Sequence, residues 1–430
     1  MTLASYWRLV RDNRNFRLLW IAQIVSELGD WFYSVAIYSF LLEVTGSAQM
    51  VAWALVVQVL PQFFVSPAAG VVNDRVRRKA VMIASDCMSA AIVLAMILVH
   101  TRDMLWLLFL LLFLQSLCIA FFEPGRSAVI PNITSAEEIP VANALGSATW
   151  SVIFAAGAAI GGFADVAFGH NTVFVLNSLS FVASALLVGR MRFAEPHTHE
   201  AAPLHPRDLV DFSPIAEGIR YVRRDPKLLV TIFVKGGLGL MGANWVILPV
   251  LGMREFPVRW HGMSAAQGGT LGMSILLASR GAGAIIGAYL GGNLAGTDAT
   301  RLRRTILQGF LMCVVGYVAL GLAGSLWIAV MTLLLAHTGG SSAWTASTTL
   351  LQQQTEDRFR GRVFSAEFAF LTLAMSACSF LAGKFVDAGI SPRQVAIGTG
   401  VLMLLPALGW LIAGRAWRDV VPPAIKTASP

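Results

Sequence analysis

Charge is scarce in this chain. Asp, Glu, Lys and Arg make up 13% of its 430 residues, about half the ~25% of an ordinary soluble domain, while 56% of the residues are hydrophobic. That balance excludes a fold wrapped in a water-facing shell and assigns the chain to lipid, where each span takes roughly 20 apolar residues. Cysteine is scarce too: Cys87, Cys118, Cys313 and Cys378 all fall inside apolar stretches, where a free thiol behaves as a small hydrophobe, so no disulfide framework is indicated. The absence of a G-x-x-x-x-G-K-[ST] loop excludes direct ATP-driven work by a P-loop. Without a nucleophile motif or metal-ligand cluster, there is no basis for an enzyme, a resident metal or a cofactor. No short cleavable leader opens the chain either: Arg8, Arg11, Arg14 and Arg17 run straight into a full-length apolar span, which is therefore expected to be retained.

What is present is a series of apolar runs between charged or Gly/Pro breaks. They predict spans at 18–42, 48–72, 80–100, 104–123, 141–167, 171–190, 228–251, 265–295, 305–324, 326–349, 363–388 and 392–416, an all-α polytopic membrane protein with 12 crossings. Most of the 32 Lys and Arg residues fall at the N-terminus, in every second loop and at the C-terminus, which places both termini in the cytoplasm. The net charge of +8 then faces anionic membrane lipids rather than nucleic acid. One long connection divides the spans six and six, giving an N-terminal bundle over 1–190, a linker over 191–227, a C-terminal bundle over 228–416 and a tail over 417–430. The first part of the linker is polar and Pro-containing, and its His197, His199 and His205 match no metal-binding spacing. The second part can form an amphipathic surface helix, with Ile215, Ile219 and Val222 on one face and Arg220, Arg223 and Arg224 elsewhere.

The loop after span 2 carries Gly70, Asp74, Arg75, Arg77, Arg78 and Lys79; the loop after span 8 carries Gly296, Thr300, Arg301, Arg303 and Arg304. Both the glycine and the third arginine recur at an offset of 226 residues. A repeat at half the chain length is what duplicated six-helix halves leave behind. The first loop resembles the signature loop of the major facilitator superfamily, with Arg77 in place of its usual second glycine. Gly29-Asp30, Pro124-Gly-Arg126, Asn143-Ala-Leu145, Glu217-Gly-Ile219 and Arg360-Gly-Arg362 resemble the branch of macrolide-efflux and enterobactin-export proteins. The resemblance implies two six-helix bundles rocking about a central cavity, a monomer, and an Asp74 that locks the cytoplasmic side by meeting the N-terminus of helix 11. A carboxylate at a helix N-terminus gains about 0.3–1 kcal/mol or more; Thr300 holds that place in the second half, so the resemblance implies no equivalent lock there.

Ionisable groups inside spans cost roughly 2.5–3.5 kcal/mol on insertion scales and are functional candidates by default. Gln23, Glu27, Asp30 and Ser34 fall on one face of span 1 and are expected to face a cavity, because lipid cannot solvate them. Repulsion and desolvation disfavour two negative charges there, so Glu27 and Asp30 can share or carry a proton. Asp86, near the inner end of span 3, reads as a gate or packing partner of the loop arginines. Lys235 and Arg280 each balance the span 1 acids or bind an anionic substrate group, and Lys235 can alternatively snorkel to the interface. Glu367 reads as a first-turn acid, Asp165 as interfacial, and Lys384 with Asp387 as a local ion pair.

Gln58, Gln62 and Ser66 in span 2, and His337, Ser341 and Thr345 in span 10, recur at helical spacing and either line the cavity or bridge helices. Gly157, Gly161 and Gly162, and Gly281, Gly283, Gly287, Gly291 and Gly292, require close helix approach; the first set resembles a motif of antiporters, with Ala158 in place of its proline. Together these features predict a proton-coupled exporter of amphipathic small molecules, with small-molecule substrate and protons as its partners. A siderophore exporter, a lipid transporter or a nontransporting sensor on the same fold are the alternatives.

Overall fold

The computed structural model describes residues 3–135, 137–195, 219–223, 225–296, 298–355 and 360–416. A short helix α1 (Leu3–Asp12) leads into α2 (Arg14–Thr45), whose start is capped by the Asn13 side chain accepting from Phe16 N. Then follow α3 (Ala48–Arg75), α4 (Arg78–Ala95), α5 (Leu105–Ile133), α6 (Ile139–Phe168) and α7 (His170–Gly189). The second series begins with α8 (Pro226–Gly239), joined through a 3₁₀ turn to α9 (Asn244–Arg254) as one crossing. It continues with α10 (Ala265–Ala295), α11 (Ala299–Leu322), α12 (Leu326–Gln354), α13 (Arg360–Asp387), and α14 (Pro392–Leu402) with α15 (Leu404–Ala416) as the last crossing.

Among the described residues, 11 crossings are long and apolar enough to span a bilayer. The first, α2, is not among them. Its 32 residues reach about 48 Å at ~1.5 Å per residue, longer than the ~30 Å hydrocarbon core, but Gln23, Glu27, Asp30 and Ser34 interrupt its apolar run. α5 is longer than its predicted span because it continues through Pro124 and Pro131; neighbouring helices in a membrane bundle satisfy backbone groups that proline frees. Four helices that start on the face away from the basic loops are capped by serine: Ser47, Ser264, Ser325 and Ser391 each accept from the backbone N–H three residues on. The 226-residue repeat is visible as geometry. In both places a long helix ends, a turn of two or three residues intervenes, and a helix with basic residues in its first two turns begins.

Helix α2 packs on α6 and α7, α4 on α5 and α7, and α3 on α5. In the second series α12 packs on α10 and α11, α13 on α8, and α14 on α11. Two long seams join the series, α6 against α10 and α3 against α13. The expected glycines make these approaches possible, except Gly292, where a Cβ would meet nothing within 4 Å. A Cβ on Gly157 would sit 2.8 Å from Trp31 Cβ, and one on Gly281 would sit 2.5 Å from Ala155 Cα. On the α10–α12 seam, Thr338, Ser341 and Ser342 donate to the carbonyls of Gly283, Ala284 and Gly287, so Ser341 bridges helices while also reaching the cavity described below.

Of the expected surface helix in the linker, residues 219–223 are helical, and Val222 is buried in a cluster with Leu228, Ile232, Leu351 and Val363. His197, His199, His205, Ile215 and Arg224 lie outside the described residues, as does the tail over 417–430.

Candidate functional site

The span 1 acids sit in a small cavity of about 50 Å³ lined by Gln23, Glu27, Asp30, Asp86, Glu123 and Arg126, with Ser26, Ser89, Cys118 and Phe181 among its remaining walls. A water needs roughly 10–15 Å³ of such space, so there is room for a few. Gln23 Nε2 donates to Glu27 Oε1 at 2.8 Å and to Gly146 O at 3.2 Å, while Glu27 Oε2 has no partner. Asn177 Nδ2 of α7 reaches Asp30 Oδ1 at 3.5 Å. Ser34 does not extend the stripe: its hydroxyl donates back to Asp30 O.

Asp86 corrects the sequence reading. Expected beside the loop arginines, it is buried in this cavity instead, with Oδ2 unpaired. Its α4 packs on α5 and α7, which turns the carboxylate inward. Arg126 and Glu123 join the site although Pro124 reads in the sequence as the end of span 4. They form a 2.6 Å ion pair one turn apart on the continuous α5. That pair occupies Arg126 and leaves Glu27, Asp30 and Asp86 as three carboxylates in one polar pocket without an ion-pair partner among the described residues.

Gln23 and Arg126 also line a second, much larger cavity of about 890 Å³ between the two helix series. It is walled by Trp20, Asn143, Trp150 and Phe154, by Met241, Asn244 and Trp245, and by Arg280, His337, Ser341, Trp344 and Thr345. These residues come from the middle of their helices and from the halves nearer the basic loops, so the cavity extends toward that face. Among its walls Phe154 and Trp245 belong to one aromatic cluster, backed by Trp31, which stacks on Trp245 at 6.0 Å and meets Phe154 at 4.3 Å from outside the cavity lining. The Arg280 guanidinium lies 3.7 Å from the Trp245 ring centroid and 4.9 Å from that of Phe154. Arg280 therefore does not balance the span 1 acids; it stacks on aromatics in a different cavity.

The remaining expected residues divide. His337 lines the large cavity and is held by Tyr317 Oη at 3.0 Å. Gln58 and Gln62 are absent from its walls, because each amide donates to a carbonyl one turn back on α3. Lys235 neither snorkels nor lines it. Its Nζ is 2.7 Å from Glu367 Oε2, with the two side chains 7% and 2% exposed, and 4.5 Å from the Trp344 ring centroid. Glu367 is in the third turn of α13, too far along to act on the helix terminus. In the signature loop, Arg78 donates to Asn73 O and Ala128 O, and Lys79 Nζ to Gly189 O and Met191 O. Both cations thus fasten the ends of neighbouring helices. Arg77 is exposed at the start of α4, and Arg75 lies in the last turn of α3. Asp74 is 76% exposed and 3.7 Å from Arg78, and a Cβ on Gly70 would meet nothing within 4 Å, so the loop is not packed shut here.

The opposite face is closed. Ser39 Oγ and Thr270 Oγ1 are 2.7 Å apart across α2 and α10, Gln267 reaches Val166 O, and Arg254 donates to Gly46 O. Asp165 is not simply interfacial: with Glu43 it brackets the His170 ring. Asp387 makes no ion pair with Lys384 among the described residues. Instead it receives the Ser47 hydroxyl and the backbone N–H groups of Ala48 (2.8 Å) and Gln49 (3.1 Å) at the start of α3, a carboxylate set on a helix N-terminus. The contact mirrors the one that the resemblance implies for Asp74 and α13 on the basic face. Loss of a cap costs about 0.5–2 kcal/mol, so Asp387→Ala is expected to shift the population toward an opened far face by roughly 5–30-fold at 1–2 kcal/mol. Pulsed dipolar spectroscopy between spin labels at Asp103 and Arg259, both exposed on that face, measures the shift; an unchanged distance distribution would remove the latch role.

Comparison with known proteins bears on this geometry. The family model described as transmembrane secretion effector matches residues 5–420. Macrolide efflux protein A of Streptococcus pyogenes is 26% identical over 385 residues, covering 89% of this chain and 90% of that protein. Among solved structures, a POT family transporter in complex with 5-aminolevulinic acid aligns with a TM-score of 0.73 at 12% identity, over 94% of this chain and 96% of that one. A bacterial homologue of the human lysosomal transporter Spinster, in an inward-facing and unoccupied conformation, aligns with a TM-score of 0.68 at 14% identity, over 99% of this chain and 100% of that one.

Proposed function

The chain belongs to the transmembrane secretion effector family of the major facilitator superfamily, and from that premise we propose that this membrane transporter is a proton-driven exporter of amphipathic small molecules. It works as a monomer in a bacterial cytoplasmic membrane, with the basic face and both termini inside. On this reading the structure is the inward-facing state: the large cavity takes substrate from the cytoplasm or the inner leaflet while Asp387, Ser39 and Arg254 hold the outer side.

The observation that carries the reading is the adjacency of the two cavities. Three carboxylates with no ion-pair partner among the described residues share one polar pocket, a grouping of acids that can take up and release a proton. Gln23, bonded to Glu27, and Arg126, bonded to Glu123, form the partition between that pocket and the substrate cavity. A change in the protonation of Glu27 rearranges the Gln23 amide, and with it the wall the substrate touches. Export against a gradient needs a link of this kind between proton and substrate.

The test uses everted membrane vesicles energised to an acid interior and supplied with a panel of amphipathic dyes and drugs. Uptake that collapses on adding a protonophore is expected. Uptake insensitive to the protonophore would remove the proton from the mechanism, and transport of no panel member would remove broad drug specificity from it.

A further inference from the structure

The large cavity has a charge character that its apolar walls do not suggest. Among the described residues no carboxylate lines it, whereas Arg126 and Arg280 do. Arg126 is already paired with Glu123 at 2.6 Å. Arg280 has no carboxylate partner among the described residues, and its Nε and Nη1 are buried without any hydrogen-bond partner. One face of its guanidinium is covered by Trp245 at 3.7 Å. That stacking holds the plane in place and leaves Nε and Nη1 as unsatisfied donors. Leaving charged donors unmet in a membrane interior is costly, and a planar guanidinium presents its edge in the geometry that matches a carboxylate or phosphate in two parallel hydrogen bonds.

We propose that the transported molecule is an amphipathic organic anion, whose single acidic group is held by Arg280 while its apolar or aromatic body lies against Trp150, Phe154 and Trp245. The proposal rests on the export reading for its biological sense but not for its geometry. The aromatic cluster supplies area without choosing a charge, and the choice is made by Arg280. Amphipathic cations are disfavoured here, because the carboxylates that would attract them stand in the separate pocket behind Gln23 and Arg126.

The distinguishing experiment is equilibrium binding to the purified full-length protein in detergent, which needs no gradient and no transport. The probes are 1-pyrenebutyric acid, its carboxamide and 1-pyrenebutylamine, followed by energy transfer from tryptophan to pyrene. Charge-assisted hydrogen bonds predict that the acid binds about 10–100-fold more tightly than the carboxamide. Arg280→Gln abolishes that ratio, with binding of the carboxamide little changed, and Arg280→Lys keeps part of it as a point charge without the bidentate edge. Equal binding of acid and carboxamide, tighter binding of the amine, or a ratio unaffected in Arg280→Gln would overturn the proposal. If Arg280→Gln does not purify as a folded protein, the wild-type ratio and the Arg280→Lys variant still decide. Repeating the measurement in nanodiscs of phosphatidylcholine or phosphatidylglycerol assigns the source of the anion: competition by phosphatidylglycerol marks a lipid headgroup, and unchanged affinity a free amphiphile. Loss of gradient-driven uptake with the binding ratio intact would refute the export reading alone.

Discussion

Asp30→Asn is expected to abolish gradient-driven uptake, reducing it to the rate seen with the gradient collapsed, while leaving substrate binding within a few-fold of wild type. Asparagine keeps the shape of the side chain and can still meet Asn177 at the back of the pocket, but it can neither take up nor release a proton. Glu27→Gln is expected to slow transport less, because Gln23 can hold a neutral partner at Oε1 as it holds the carboxylate. Asp86→Asn tests whether the third acid belongs to the same relay or only sets its charge. Uptake and binding of these variants should be compared at matched expression. Gradient-driven transport at the wild-type rate in the Asp30 variant would make the acid cluster a structural feature, and another route for the proton would be needed.

The helix pattern was readable from composition and periodicity because lipid allows few alternatives: apolar runs of spanning length, bounded by charge, become helices at nearly the predicted positions. The glycine seams were readable for the same reason, since only close approach explains so many small residues at helical spacing. Partnerships between helices were not readable. Glu27 and Asp30 announce themselves as neighbours on one helix, but Asp86 and the Glu123–Arg126 pair join them only through the packing of α4 and α5. Asp387 looked paired with Lys384 because residues three apart on one helix often are; its partner is the start of α3, more than 300 positions away in the chain. Pro124 hid Arg126 because proline in a soluble protein ends a helix, and the rule weakens in a membrane bundle. The relatives share the family and leave the specificity of this cavity open, since the resemblance follows the scaffold and the charge of the cavity depends on a few side chains such as Arg280.

The Lys235–Glu367 pair should produce the largest change in stability of any single substitution considered. Both side chains are almost fully buried and only 2.7 Å apart, tying α8 to α13, and Glu367 Oε1 has no further partner. Removing one member of such a pair leaves the other as an uncompensated buried charge, at a cost of about 3–5 kcal/mol. Stacking of Lys235 on Trp344 offsets only part of that, since a cation–π contact contributes roughly 0.5–2 kcal/mol. Glu367→Gln and Lys235→Met are therefore each expected to lower the thermal unfolding midpoint of the detergent-purified protein by several degrees. The double variant Lys235→Met with Glu367→Leu should recover most of the loss, because an apolar pair of similar volume removes both desolvation penalties. If the double variant is no more stable than the worse single one, the pair is not a simple charge balance. If all three are stable and only transport fails, the pair acts in the movement of α13 against α3. The cavity of about 380 Å³ beside it, lined by Phe63 and Ser66 of α3 together with Lys235, Phe364 and Glu367, lies where such a movement would close.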